Sequence, residues 1–361
     1  MSSRIQSVDV LRGFTIVAMI LVNTPGTWNH VYKPLLHANW HGLTPTDLIF
    51  PFFIIIVGIS IYFAYKQKNS SFSTFKKITI RSVKLIGLGL FLNLFLPYAP
   101  FITDLSTVRI PGVLQRIGIV FFFSSLLYLH CNWKTLLGIA TILILGYWLF
   151  LGFVPLPDGT LPTFDRLPNN WSNFIDLNIL GEHMWKNDYD PEGLFSTIPS
   201  IATCLFGVLL GKQLDSRQPM KLLFFSAFCF LTLGYVLNIW FPINKAIWSS
   251  SFVLVTLGWA ALILSIIFFL TDVKKIQFGT IFKYAGMNAI TIYFLSSFIS
   301  KSMYLIKIDE SYNLHNYLYS EIFVQSFFSD KLSSLLYGLA VVIFYLGLGY
   351  ILFKKKIFIR V

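Results

Sequence analysis

Apolar runs of roughly 17 to 25 residues, the length that crosses a bilayer's hydrocarbon core as a helix, recur about ten times along this chain. They are expected near 8–24, 47–65, 78–96, 111–129, 133–154, 198–214, 220–240, 247–270, 281–300 and 332–353. Within lipid each backbone N–H and C=O must find its partner inside the protein, so the pattern predicts an all-α polytopic membrane helical bundle. Composition agrees: 55% of the 361 residues are hydrophobic and only 12% charged, against about 25% charged in an ordinary soluble domain. No internal repeat or low-complexity tract divides the chain, which reads as a single integral membrane domain over 1–361.

The net charge of +12 is topological rather than a footprint for nucleic acid. With a cytoplasmic N-terminus, the connections holding Lys66, Lys68, Lys76, Lys77, Lys134, Lys212, Arg217, Lys221, Lys274, Lys275 and the tail Lys354, Lys355 and Lys356 all fall on the cytoplasmic side. Assigning every residue to its nearer side puts about 19 basic and about 3 acidic residues inside, as the positive-inside rule expects. Ten spans then place both termini in the cytoplasm. Cys131, Cys204 and Cys229 show no metal-ligand spacing and read as packing residues. The first apolar run carries Asp9 and Arg12 and no small-residue cleavage site, so it is expected to stay in place.

Two external segments stand out. The connection at about 155–197, with Pro157, Pro162, Pro168 and several acids, is a candidate lid or acceptor-recognition loop. A second, at about 301–330, holds Tyr304, Tyr312, His315, Tyr317 and Tyr319, with a short amphipathic helix expected from about 313 to 328.

Ionisable residues at the mouths of the spans mark the candidate site, because hydrocarbon disfavours them by a few kcal/mol. His37 and His41 lie in the stretch Leu36-His-Ala-Asn-Trp-His-Gly-Leu-Thr-Pro-Thr-Asp47, and Gly42 and Pro45 make it a turn into a new helix rather than a metal-binding helical face. Asp47 either caps that helix or accepts a hydrogen bond from His37, fixing its tautomer while the other nitrogen reacts. Asp9 and Arg12, three apart, can pair on one face of the first span. Arg116 and Gln115 enter the fourth span, Asn244 and Lys245 precede the eighth, and Asn288 lies in the ninth. Asp190 and Glu192 precede the sixth, where acids also complement a helix N-terminus.

These residues carry a resemblance. Ser7-Val-Asp-Val-Leu-Arg-Gly13, Val22-Asn23, His37 through Pro51, Arg109-Ile-Pro-Gly-Val-Leu-Gln-Arg116, Asp190-Pro-Glu-Gly193, Asn244-Lys245 with Trp248, and Gly286-Met-Asn288 follow one another in the order found in the transmembrane N-acetyltransferases. The chain resembles that family, typified by heparan-alpha-glucosaminide N-acetyltransferase, and in particular its bacterial members. The resemblance implies transfer of acetyl from cytosolic acetyl-CoA to the amine of a glucosamine-type sugar on the far side of a bacterial inner membrane. It implies His37 as the active histidine, with Asn23 and Asp47 as its polar neighbours, acting through an acetyl-histidine or by direct transfer. His41 departs from the lysosomal member, which has asparagine there, and the leading domain and span of that member are expected to be absent.

Chemistry distributes the remaining roles. A base or nucleophile is needed for the amine and thioester, with donors for the oxyanion, so His37, Asp47 and Asn23 form the catalytic set. Coenzyme A brings three phosphate groups, for which Arg12, Arg116 and Lys84 are the cationic candidates, with Gln115 and Asn288 as polar lining. An amino sugar suits the acidic outer loop, so Asp190, Glu192, Trp40, His41, Asn244 and Lys245 are assigned to the acceptor. No metal is expected, and the aromatic-rich membrane surface is compatible with a homodimer. Two rival readings are an amino-sugar transporter, which the lack of paired repeats disfavours, and a related acyltransferase with another acyl donor or a hydroxyl acceptor.

Overall fold

The computed structural model describes residues 5–310 and 312–359. Among these, regular structure is helical, and extended pairing is confined to the isolated bridges Phe95 with Ile102 and Lys307 with Asn313. In chain order the helices are α1 (Gln6–Asn23), α2 (Ile49–Tyr65, entered through a 3-10 turn at Pro45–Leu48), α3 (Phe72–Leu94), α4 (Val113–His130), α5 (Trp133–Phe153), α6 (Trp171–Leu180), α7 (Thr197–Leu214), α8 (Pro219–Leu237), α9 (Ser250–Phe268), α10 (Thr280–Met287), α11 (Ala289–Leu305), α12 (Leu314–Leu318) and α13 (Asp330–Lys354).

Eight of these are long and apolar enough to cross a membrane: α1, α2 with its entry turn, α4, α5, α7, α8, α9 with its continuation to Val273, and α13. The third and ninth expected runs also form helices, and each differs for a local reason. Ser71 accepts from the Thr74 N–H and starts α3 at Phe72, a turn and a half before its apolar run, so the helix adds Lys76 and Lys77 to the Arg81 and Lys84 already within that run. The ninth run breaks at Asn288, whose amide donates to Ile357 O and accepts from Ile359 N, fastening the tail where α10 gives way to α11. Asn288 was expected near coenzyme A; its side chain is occupied by this backbone.

The core lies where α2, α7 and α9 meet, with Ile54, Ile55, Ile59, Phe252 and Val255 at most 1% exposed. Gly58 on α2 and Gly207 on α7 let the two backbones touch: a side chain at Gly58 would run into Cys204 O, and one at Gly207 into Ile55 O. Gly58→Val is therefore expected to cost at least about 1–3 kcal/mol by overpacking. Thermal unfolding in detergent checks this, and an unchanged melting temperature would show that the helices part freely.

Loops gather at one end of this bundle. Gly42 N donates to Ile243 O at 2.8 Å and Ile110 N to His183 O at 3.0 Å, which ties the segments after α1, α3, α5 and α8 together. The long connection at 155–197 contains a helix that its short apolar stretch concealed: α6, capped by Asn170, which accepts from the Ser172 N–H. The helix expected over 313–328 is shorter, ending in a π turn at Tyr319–Phe323, after which the chain turns so that Ser329 can cap α13.

Candidate active site

Asp47 organises the site. It is 1% exposed and stands third in the 3-10 turn whose N-cap is Thr44, with Pro45 fixing the first position. Its Oδ2 accepts from Thr44 N at 3.0 Å, Thr44 Oγ1 at 3.0 Å and Ala38 N at 3.1 Å, while Oδ1 faces His37 Nδ1 at 2.7 Å. Both alternatives read for Asp47 are thus realised in one carboxylate, one oxygen capping and the other orienting. With an acceptor on Nδ1, the proton of a neutral imidazole sits on that nitrogen, and the Nε2 lone pair is left for chemistry. The His37 side chain is 49% exposed.

The loop before α9 closes over this dyad. Asn244 is fully buried and builds the loop, its amide oxygen accepting from Ile247 N and its own N–H donating to Ser249 Oγ. That brings Lys245 Nζ to 3.1 Å from Nδ1 and 3.2 Å from Nε2 of His37, and to 4.0 Å from Asp47 Oδ1. Loss of solvent holds the Lys245 ammonium below the usual lysine range, against the pull of Glu192 and Asp47 and with the repulsion of Arg116. Trp248, fully buried in the same loop at a φ of +50°, donates from Nε1 to Thr203 Oγ1 at 3.0 Å.

Arg116 lies behind this loop. It is 1% exposed, its guanidinium is 5.1 Å from the Trp248 ring centre, and Nη2 donates to Gly193 O at 2.9 Å and to Ser196 Oγ. Among the described residues its Nε and Nη1 have no hydrogen-bond partner. Gln115 beside it donates to Ile110 O at 3.1 Å and steadies the approach to α4.

The acidic loop is held by a residue to which the sequence reading gave no role. Arg109 grips Asp190 through Nε at 2.8 Å and Nη2 at 2.6 Å, and also reaches Glu192. Burial works against the Arg109 charge, yet these carboxylates hold it above the usual arginine range. Asp190, 1% exposed, takes two further N–H groups from Trp185 and Glu192. It was expected to meet the acceptor amine; its oxygens are filled, and it fastens the loop. The signal that could have identified Arg109 is its place two residues before Pro111-Gly112, a rigid entry opposite a loop of acids.

The other expected site residues spread out. His41 turns away from His37, its Nε2 at 2.9 Å from Asp165 Oδ1 and its Nδ1 at 3.3 Å from the Asn244 amide. Trp40 donates to Phe164 O and meets Tyr189 edge-on with ring centres 5.2 Å apart. Asn23 ends α1 with an exposed side chain, and among the described residues no hydrogen bond joins it to His37 or Asp47. Arg12 pairs with Asp9 at 3.0 Å and Ser60 Oγ at 2.8 Å, near the helix ends opposite the His37 loop. Lys84 is exposed on α3.

Asp176, on α6, also escaped notice. It accepts from Leu194 N at 2.9 Å and Phe195 N at 3.4 Å, and burial pushes its carboxyl up to about 6. A carboxyl raised in the fold favours the protonated form, so stability is fully present below about pH 4 and declines as pH rises to about 6, by on the order of 3 kcal/mol. Asp176→Asn keeps an acceptor for these N–H groups. Its melting temperature, followed between those pH values, should lack the wild-type decline; an equal decline would place the titration elsewhere.

The family model for the heparan-alpha-glucosaminide N-acetyltransferase catalytic region matches residues 4–232. Heparan-alpha-glucosaminide N-acetyltransferase of Homo sapiens is 33% identical over an alignment covering 80% of this chain and 52% of the human protein. The Mus musculus protein of the same name is 31% identical, covering 81% of this chain and 53% of its own length. The chain thus spans about half the length of the curated relatives it matches. The matched catalytic region takes in His37, Asp47, Arg109, Arg116, Asp190 and Glu192, and ends before Lys245.

Proposed function

The chain belongs to the heparan-alpha-glucosaminide N-acetyltransferase catalytic family, and from that premise we propose that it moves acetyl from acetyl-CoA to the amine of a glucosamine-type sugar within a membrane. The observation that carries this reading is the His37–Asp47 pair at 2.7 Å, with the imidazole half exposed and a buried cationic residue, Arg116, behind the adjoining loop. His37 serves either as the nucleophile that holds acetyl or as the base that takes the attacking amine's proton. In both routes Asp47 stabilises the positive charge that builds on the imidazole. The cytoplasmic assignment of both termini puts His37 at the outer face, with acetyl-CoA entering from the cytoplasm past Arg12 and Lys84. Arg116, two of whose nitrogens have no hydrogen-bond partner among the described residues, is the internal cation for a phosphate or a carbonyl oxygen. Trp40, Glu192, Asn244 and Lys245 border the acceptor position. The lipid bilayer of a bacterial inner membrane is the setting, and a homodimer is compatible with its aromatic surface.

The test is direct. Purified protein supplied with acetyl-labelled coenzyme A and glucosamine should form labelled N-acetylglucosamine. Glucosamine uptake into proteoliposomes, with no transfer to any amine, would identify a transporter instead. Label that stays on the protein without acceptor, and leaves when glucosamine is added, would select the acetyl-histidine route.

A further inference from the structure

Lys245 Nζ is nearly equidistant from the two ring nitrogens of His37, at 3.1 and 3.2 Å. Those nitrogens flank one carbon, so a nitrogen equally close to both lies over the face of the ring and not along the Nε2 lone pair. Nε2 therefore remains open in the ring plane while an amine waits beside it. The Lys245 side chain is 17% exposed. The groups that face it are His37 and Asp47 from the turn before α2, Glu192 from the outer loop and Arg116 from α4.

We infer that Lys245 is the base that removes the proton from the acceptor's ammonium before the amine attacks, an assignment that rests on the acetyltransferase reading above. An ammonium has no lone pair and cannot attack a carbonyl. If His37 carries the acetyl group, its own Nε2 is blocked, and a second base within reach is required. The step balances. Neutral Lys245 takes one proton from the sugar ammonium, giving a sugar amine and a lysine ammonium. The amine nitrogen then bonds to the acetyl carbon, and the bond from that carbon to Nε2, or to the coenzyme A sulfur in direct transfer, breaks. The second proton lost on forming the amide goes to the released Nε2, or through His37 to the thiolate. Lys245, partly exposed, afterwards returns its proton to solvent. Desolvation favours the neutral form of Lys245 more than water does, a common origin of basic lysines in enzymes. Glu192 and Asp47 balance the charge while the proton is on either amine.

The experiment compares two acceptors on purified protein. Glucosamine carries an amine beside electron-withdrawing oxygens, which titrates near the α-amino range of about 8; an O-alkyl hydroxylamine is already unprotonated at neutral pH. Lys245→Met should lose about 100-fold with glucosamine at about pH 6, and its rate should climb about tenfold per pH unit until about pH 8. With the hydroxylamine the loss should be at least about tenfold smaller than with glucosamine, and the transfer that remains shows the variant is folded. Lys245→Arg, permanently charged, should fail on glucosamine in the same way. Equal loss on both acceptors, or full glucosamine activity in Lys245→Arg, would assign Lys245 a fixed-charge role and overturn the inference. Wild type that transfers to neither acceptor would defeat the acetyltransferase reading itself, and the inference with it.

Discussion

His37→Ala should reduce acetyl transfer by at least about 10³-fold while leaving the protein folded. The size follows from removing the imidazole proposed to hold acetyl or to take the attacking amine's last proton, a role that contributes about 10²–10⁴-fold. Folding should survive because the imidazole is about half exposed, and Asp47 keeps three other donors when it is gone. Labelled product formation, set beside the melting temperature of the same sample, checks both halves. Activity within tenfold of wild type would remove His37 from the chemistry, whatever the state of the fold.

Asp47→Asn should be nearly as damaging and for a separable reason. Four donors converge on this carboxylate, three on Oδ2 and one on Oδ1. An amide offers one oxygen, so one side must set N–H against N–H. If the oxygen faces the cap, the amide donates to His37 Nδ1, the tautomer reverses, and Nε2 carries the proton where a lone pair is needed. A loss of about 10²–10⁴-fold in kcat is then expected with little change in stability. If the oxygen instead faces His37, the cap donors are orphaned in a buried place, and stability falls by about 1–3 kcal/mol. Transfer kinetics and thermal unfolding together distinguish the two arrangements. Wild-type values in both would mean that the carboxylate neither orients nor caps.

Much of this architecture is legible in the residue order because hydrophobic length is a local property. All ten expected runs became helix, and most ends moved by only a few residues. The exceptions mark where local reading loses its hold. The α3 start depends on Ser71 reaching Thr74, which a hydropathy window averages away. The break at Asn288 depends on its side-chain hydrogen bonds to the backbone of Ile357 and Ile359, about seventy residues downstream. Helix α6 is too short and too mixed to show a period, and it holds its shape through Asn170 and packing against the loop around it.

The site divides along the same line. The residue order alone determined an all-helical chain built for a membrane and set His37 ten residues before Asp47, with Asp47 read as either a cap or a partner of His37. It also determined the candidate chemistry, since few ionisable groups are tolerated beside such apolar helices. Which polar groups remain available was decided by tertiary structure. Asp190 and Arg109 are 81 residues apart and grip each other, His41 is drawn to Asp165, and Lys245 arrives over His37 from 208 residues away. A span's entry into lipid is governed by its own composition, whereas a hydrogen bond depends on which loops close over the same end of the bundle. Composition is written along the chain, and partnership is set only when the helices pack.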